Sequence, residues 1–253
     1  MKTLFLNSVL FTLKNQEVRD NKYLMIFYTW LSKLIQNGGM GRDDFLLISI
    51  DERTLEFIKT TPKCLAYLLS QLKCPYAFKI FSAPETLSDG MKIRYTPHDY
   101  KQDVFLYLDI DVLVMKSLKL ITSQTENAKL YVCTEGTLRD PNYGADMSST
   151  DDPGYTSAIF LVTAPWVMEV LCRRVGELYA DKGYYTLDQP FFNRAAYMMP
   201  RNDKLLTRLH SFNGHGYSKE DTVLLNCGGE PGNGQVHFEK IQEVLCLIDA
   251  GMF

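Results

Sequence analysis

The sequence predicts an α/β protein with a mostly parallel central sheet flanked by helices, and three observations support this fold class. Strand-like apolar runs alternate with segments of helical spacing through the first half of the chain, which is the order that builds parallel sheets. One apolar run, over residues 104–114, carries two aspartates. The length of 253 residues suits one large α/β domain.

The first half of the chain holds the parallel part of the predicted sheet. Tyr23, Phe27 and Leu31 recur at helical spacing and Gly38 follows them, so a helix is expected over residues 20–36. The expected strands are 3–9, 44–50, 77–81 and 104–114, and the further expected helices are 52–59 and 63–72.

The second half is less regular and richer in loop residues. Its segment 136–154 is too polar for a core element and predicts a loop. Because no repeat or linker interrupts the chain, residues 1–253 are expected to form a single domain. The expected strands are 157–163, 205–212 and 222–227, and the expected helices are 165–180, 188–197 and 238–247.

Composition excludes several classes of function. The net charge of -3 offers no basic field for nucleic acid. The six cysteines form no CxxC pair and several lie within apolar runs, which favours reduced thiols in a cytoplasmic protein over disulfides or zinc. No run reaches the ~18 apolar residues of a membrane span, so any membrane association is expected to be peripheral or through a partner. The apolar start imitates a signal peptide but lacks a small-residue cleavage site, and we interpret it as the first strand.

The aspartates of the 104–114 run are the clearest sign of chemistry. With a side-chain period of two, Tyr107, Asp109 and Asp111 share one face of the strand. Two ionised carboxylates so close on a buried sheet cost several kcal/mol unless a positive group lies between them. A divalent cation such as Mg²⁺ or Mn²⁺ meets this need and keeps open positions for phosphate oxygens. The alternative is that the pair simply ends the strand at a solvated edge.

Four motifs follow one another along the chain. They are YLDIDVLV at 107–114, YTSAIFLV at 155–162, LDQPFFN at 187–193 and NCGG at 226–229. In this order they resemble the DxD strand, the F-N-S-G strand, the D-Q-x-x-x-N helix start and the H-x-x-G motif of glycosyltransferase family 8 and its glycogenin-like relatives. The resemblance covers about residues 3–240. It implies a Rossmann-like GT-A fold, with a nucleotide-binding half at 1–115 and an acceptor-binding half at 116–253.

The resemblance also implies an activity and a site. The expected enzyme is a metal-dependent hexosyltransferase that moves a sugar from a nucleoside diphosphate sugar, a UDP-sugar, to a glycan or protein-linked acceptor. It would hold Mn²⁺ or Mg²⁺ on Asp109, Asp111 and Asn226. Asp188 is the expected catalytic residue beside the transferred sugar, as a base, as an acceptor-orienting group or as an anchor for sugar hydroxyls. The residues expected at the nucleotide sugar are Asn7, Ser8, Arg94, Asp109, Ile110, Asp111 and Gly229, and those expected at the substrate are Ser157, Asp188 and Gln189.

Several of these assignments have alternatives. The family's third metal ligand is the histidine of H-x-x-G, whose place Asn226 takes, and the rival ligands are His210, His215 and His237. The lysine of the family's K-P-W motif is also missing. For Arg94 the alternative is a solvated surface arginine. For Asp188 it is a helix N-cap, and Asp151 and Asp152 in the polar loop are then the alternatives for its role. The polar loop at 136–154 is expected to act as a mobile lid on the acceptor side.

Two other classes of function remain open from the sequence. The first is a phosphatase of the haloacid dehalogenase type that uses Asp109 and Asp111 as nucleophile and acid. Leu113 departs from its first motif, and several elements precede the acids where that motif usually ends the first strand. The second is a catalytically inactive sugar-binding module that keeps the fold.

Overall fold

The computed structural model describes residues 2–60, 64–144, 150–182, 187–228 and 234–252, without the side chains of 181 and 182. The described residues form ten strands and ten α-helices. The strands are β1 (Leu4–Leu10), β2 (Phe45–Asp51), β3 (Tyr76–Phe81), β4 (Val104–Leu108), β5 (Val112–Val114), β6 (Leu130–Thr137), β7 (Pro153–Val162), β8 (Arg201–Asn202), β9 (His210–Phe212) and β10 (Leu224–Asn226). The helices are α1 (Tyr23–Asn37), α2 (Glu52–Thr60), α3 (Cys64–Ser70), α4 (Leu87–Lys92), α5 (Lys119–Thr122), α6 (Pro141–Gly144), α7 (Pro165–Lys182), α8 (Gln189–Tyr197), α9 (Lys204–Arg208) and α10 (Gly234–Asp249).

The central sheet has the strand order β3-β2-β1-β4-β7-β6-β8. Strands β1 to β4 pair in parallel, β7 is antiparallel to both β4 and β6, and β8 is parallel to β6. The chain leaves β1 towards β2 and β3 and then returns to β4 on the other side of β1. The predicted mostly parallel sheet flanked by helices is thus confirmed, and its switch in strand order lies between β1 and β4.

Both faces of the central sheet are covered by helices, because successive side chains of a strand point to opposite faces. Leu4 and Leu6 of β1 belong to a core cluster with the buried residues of α1, α3 and α10. Phe5 and Val9 belong to a second cluster with the buried residues of α7 and α8. Strand β1 is buried along its whole length.

Helix α1 begins later than the sequence predicts. Residues Val18–Asp20 form a short 3-10 turn, and the α-helix starts at Tyr23. It ends before Gly38 and Gly39, as predicted. Gly39 has a φ of +64°, and a Cβ there would lie 2.3 Å from the Ser117 hydroxyl oxygen, so the turn requires glycine.

The predicted strand at 104–114 is wrong as one strand. Strand β4 stops at Leu108, and the Val112 N–H donates to the Asp109 carbonyl at 3.0 Å, which closes a turn. Strand β5 then joins a second, three-stranded sheet of order β5-β10-β9, where it is antiparallel to β10 and β10 is parallel to β9. The apolar run continues through the turn because both strands are buried, so periodicity alone could not reveal the break.

Two predictions for the second half also need correction. The predicted strand at 205–212 is helix α9 followed by the short strand β9; the Asn202 side-chain oxygen accepts from the N–H groups of Lys204 and Leu205, which starts the helix. The predicted loop at 136–154 contains the end of β6, the short helix α6 and the start of β7. Residues 145–149 lie outside the described part. None of the described helices is long and apolar enough to cross a membrane.

Candidate active site

A large cavity opens where β1 and β4 end, at the switch in strand order. Open α/β sheets bind ligands at this position, because the carboxyl ends of the parallel strands diverge there. Val9, Leu10 and Phe11 line it from β1 and the residues after it. Of the residues that the sequence predicts for the site, the cavity collects Arg94, Asp109, Ile110, Asp111, Ser157, Asp188, Gln189 and Asn226.

The turn after β4 is fixed from two sides. The Asp109 N–H donates to the Ala158 carbonyl of β7 at 2.9 Å. The Cys227 N–H, just after β10, donates to the Asp111 carbonyl at 3.0 Å. Ile110 is buried in the core between the two aspartates. Both carboxylates therefore stand at the seam between the two sheets and face the cavity.

Arg94 lies below this turn and is buried, with only 5 % of its surface exposed. Its Nη1 is 3.1 Å from Asp109 Oδ2 and 3.5 Å from Asp188 Oδ2. The same nitrogen donates to the carbonyl and the hydroxyl of Ser157 at 3.1 and 3.2 Å. The guanidinium also lies over the ring of Tyr107. The alternative of a solvated surface arginine is wrong; Arg94 holds two carboxylates and β7 together.

Asp188 precedes α8 and is 1 % exposed. Its carboxylate makes no capping hydrogen bond to the helix, so N-capping does not explain this residue. Oδ2 instead accepts from the Tyr95 hydroxyl at 2.5 Å and lies beside Arg94. Tyr95 is a member of the site that sequence reasoning missed, and its only signal was its position next to Arg94.

Helix α8 is clamped to β7 by two amide side chains. Asn193 accepts from the Tyr155 N–H at 2.7 Å and donates to the Tyr155 carbonyl at 2.7 Å, as a strand neighbour would. Gln189 accepts from the Ser157 N–H at 3.2 Å. The D-Q-x-x-x-N pattern therefore has a structural use here, because it fixes Asp188 relative to β7 and Arg94.

Burial and neighbouring negative charges both make it costly to ionise the two aspartates of the turn. Burial raises the pKa of Asp109, which the nearby Arg94 lowers in part and the charge of Asp111 raises further. Burial also raises the pKa of Asp111, and the charge of Glu135 adds to that rise. A divalent cation would relieve both effects.

The residues present fit such a cation. Asp111 Oδ1 and Asn226 Oδ1 are buried, and neither accepts a hydrogen bond from the described residues. Asn226 pairs with Val112 in the register of β10 and β5, one residue after Asp111. Both oxygens of Asp109 have protein partners, the Tyr107 hydroxyl and Arg94. Carboxylate and amide oxygens are ligands that Mg²⁺ and Mn²⁺ accept.

The rival histidines lie in three different places. His237 Nδ1 is 3.8 Å from Asp111 Oδ2, at the cavity. His210 Nε2 is 2.9 Å from Glu135 Oε1. His215 is exposed. Glu135 lines the cavity and was missed by sequence reasoning, although a carboxylate late in an apolar strand is the same signal that marked Asp109 and Asp111.

Two predicted nucleotide contacts, Asn7 and Ser8, are not brought to the cavity, and a third cannot be placed. Asn7 is buried, accepts from the Ser49 hydroxyl at 3.2 Å and lies 3.4 Å from His98 Nε2. The Ser8 hydroxyl donates to the Leu108 carbonyl at 2.7 Å. Gly229 lies outside the described residues, as do the neighbouring positions 230–233.

Solved structures of known glycosyltransferases resemble this architecture. No family model and no curated protein matches the sequence. The WbbM bifunctional glycosyltransferase in its apo form has a similar structure, with a TM-score of 0.64 at 12% identity over 97% of this chain and 51% of that one. Apo mouse xyloside xylosyltransferase 1 has a TM-score of 0.55 at 13% identity over 92% of this chain and 98% of that one. This chain has the GT-A fold. It spans about half the length of the WbbM chain, and at these identities the likeness concerns the fold alone.

The first prediction concerns the buried charge of Asp111. The pKa of Asp111 is higher in the folded protein than in the unfolded chain, where it is about 4. Protonated Asp111 therefore stabilises the folded protein at low pH, and this stabilisation is lost as the pH rises through the raised pKa. In chelator at pH 8, Asp111→Asn should raise the free energy of unfolding by about 1–2 kcal/mol, and by less at pH 5. Urea denaturation at both pH values measures this.

The matched control is Asp103→Asn, for which we expect the free energy of unfolding to change in the opposite direction. Hydrogen bonds from Thr3 lower the pKa of the exposed Asp103, so this variant should be less stable than the wild type at pH 8. Equal stability of Asp111→Asn and the wild type at pH 8 would contradict a desolvated carboxylate at Asp111.

The second prediction concerns Arg94. Arg94→Met leaves Asp109 and Asp188 buried without their cation and should lower the free energy of unfolding by about 3 kcal/mol or more at pH 8. The loss should be smaller at pH 5, where Asp109, whose pKa is raised by burial, can take up a proton. Arg139→Met, in an exposed pair with Asp151, should cost less than about 1 kcal/mol at either pH. A similar small cost for Arg94→Met would argue against the ion network.

Proposed function

We propose that this protein is a metal-dependent hexosyltransferase that moves a sugar from a UDP-sugar to a glycan or protein-linked acceptor. The observation that carries the proposal is the convergence of two groups at the switch point of a GT-A fold. One group is the pair of buried oxygens on Asp111 and Asn226 that lack partners among the described residues. The other is the buried ion network of Arg94, Asp109 and Asp188 in the same cavity.

Asp109, Asp111 and Asn226 would hold the metal ion, Mn²⁺ or Mg²⁺. When bound, the ion would act as a Lewis acid that offsets the charge of the departing nucleoside diphosphate. Asp111 would be the firmer ligand, because both oxygens of Asp109 already have protein partners. The carboxylates keep the site negative until the cation binds.

Arg94, Ser157 and Gln189 would orient the donor. Nη1 of Arg94 is fixed by Ser157, Asp109 and Asp188, so the guanidinium cannot swing as the donor enters. It places a positive charge beside the metal site, where it favours phosphate. Gln189 holds the backbone of Ser157 against α8. These contacts fix the part of the cavity surface that the sugar would contact.

Asp188 would contact the transferred sugar. Its Oδ2 is taken by Tyr95 and Arg94. An ionised carboxylate accepts hydrogen bonds but donates none, so Asp188 suits the anchoring of sugar hydroxyl groups. Of the roles that the sequence left open, this one uses the observed contacts without moving any side chain.

The contacts of Asp109 count against a phosphatase of the haloacid dehalogenase type. A nucleophilic carboxylate needs an oxygen free to attack phosphorus, and both Asp109 oxygens are engaged. The catalytically inactive binding module would differ by the absence of turnover. A single assay separates the proposed transferase from both alternatives.

That assay follows release of nucleoside diphosphate from a panel of UDP- and GDP-sugars, with Mn²⁺ and with chelator. We expect metal-dependent hydrolysis of at least one UDP-sugar in the absence of acceptor. Asp111→Ala should lower this rate at least about 100-fold while the fold persists, because the change removes a metal ligand and a buried charge. Asp103→Ala, on the exposed surface, is the control and should keep the rate. Full activity in chelator or in Asp111→Ala would refute the metal assignment.

The third ligand can be tested separately. Asn226→His should retain or raise Mn²⁺ affinity, since imidazole is a good ligand for that ion, and Asn226→Leu should weaken it. The change should affect Mn²⁺ and UDP together, as each completes the other's site. Titrations of Mn²⁺ with UDP present compare the three proteins. Unchanged affinity in Asn226→Leu would mean that a histidine such as His237, or water, is the third ligand.

A further inference from the structure

The inference concerns the orientation of Asn226 and rests on the proposed metal site. A side-chain amide has an oxygen that can bind a cation and an NH₂ group that repels one. An amide ligand is therefore useful only if something keeps its oxygen turned to the ion. A histidine in the same place would not carry this ambiguity.

Glu135 fixes the orientation of the Asn226 amide. The Asn226 Nδ2 group donates to Glu135 Oε1, and a carboxylate can only accept, so this contact decides which end of the amide faces which way. The NH₂ group turns to Glu135 on β6. The Asn226 oxygen is then left on the other side, buried and without a hydrogen bond from the described residues.

His210 lies against Glu135. Its Nε2 is 2.9 Å from the same oxygen, Glu135 Oε1, and the two side chains are only 5 % and 3 % exposed. His210 lies on β9 and Asn226 on β10, which are neighbours in the small sheet. Glu135 is thus enclosed by the amide group that donates to it and by the ring of His210, which limits its rotation. Glu135 thus connects the central sheet to the small one at the point where Asn226 needs support.

We propose that Glu135, packed against His210, is a positioning residue that keeps the oxygen of Asn226 turned towards the cation of Asp109 and Asp111. Glu135 acts through Asn226 and is not itself a ligand. Outer groups of this kind typically change metal affinity by about 10- to 100-fold when they are removed.

Cys133 lies in the same cluster and raises a competing explanation. The ligand atoms of Cys133, Glu135 and His210 lie within 4.8 Å of one another, a spacing that also suits a second, softer metal ion. Burial, followed by the charge of Glu135, raises the pKa of the Cys133 thiol well above its usual value. A thiol must lose its proton to bind a metal, so the positioning role is favoured.

A double-mutant cycle tests the proposal. Mn²⁺ affinity is measured with UDP present by electron paramagnetic resonance of the free ion, in the wild type, Glu135→Leu, Asn226→Ala and the double variant. Glu135→Leu should weaken Mn²⁺ binding about 10- to 100-fold in the wild type. In the Asn226→Ala background the same change should have an effect of less than about threefold, since the residue it positions is gone.

Two further variants keep the test decisive. Glu135→Met keeps a long side chain without an oxygen acceptor and goes through the same cycle, in case Glu135→Leu does not fold. Glu56→Gln removes a carboxylate from the exposed face of α2 and should leave Mn²⁺ affinity unchanged. Thermal unfolding in chelator identifies the variants that are folded.

The outcomes separate this inference from the proposed function. Wild-type protein that binds no Mn²⁺ would overturn both. Wild-type binding that Glu135 variants leave unchanged would overturn the positioning role alone. Equal weakening in both backgrounds would also overturn it, because Glu135 would then act on the cation directly. A second bound ion, tested with Zn²⁺ and lost in Cys133→Ser, would make the cluster a metal site and overturn the positioning role as well.

Discussion

The buried guanidinium of Arg94 is the group on which the rest of the site depends. It lies between Asp109 and Asp188, and these carboxylates come from different parts of the sheet edge. Without a cation between them, the buried carboxylate of Asp188 and the partly buried carboxylate of Asp109 would repel each other and lose hydration. Arg94 also binds Ser157, so one side chain ties the segment before β4 to β7 and to the start of α8.

The turn between β4 and β5 brings the small sheet next to this ion network. Because β5 leaves the central sheet, the turn with the two aspartates lies against both β7 and the end of β10. Asn226 thereby reaches Asp111 from the small sheet, and Glu135 reaches Asn226 from β6. The cavity has two chemically different walls as a result. One carries the guanidinium of Arg94, and the other carries the carboxylates of Asp111 and Glu135.

The distribution of satisfied and unsatisfied oxygens assigns the residues different tasks. The carboxylate oxygens of Asp109 and Asp188 accept hydrogen bonds from Tyr107 and Tyr95 and pair with Arg94. These contacts fix the positions of both side chains. Asp111 and Asn226 each keep a buried oxygen that no described residue satisfies. Burying a polar atom without a partner costs free energy, so these two oxygens are the atoms of the site most in need of a positive partner.

The sequence by itself determined the fold class and named most of the residues that the structure brings together at the cavity. Alternating periods predicted the parallel sheet, and an Asp pair inside an apolar run marked the sheet edge, because both signals are local in the chain. Only the tertiary structure decided the break after Leu108, the helix at 204–208, and the partners Tyr95 and Glu135. Tyr95 meets Asp188 across 93 residues and Glu135 meets Asn226 across 91. Such pairs depend on strand order and register, which the packing of the whole sheet sets and no local pattern encodes.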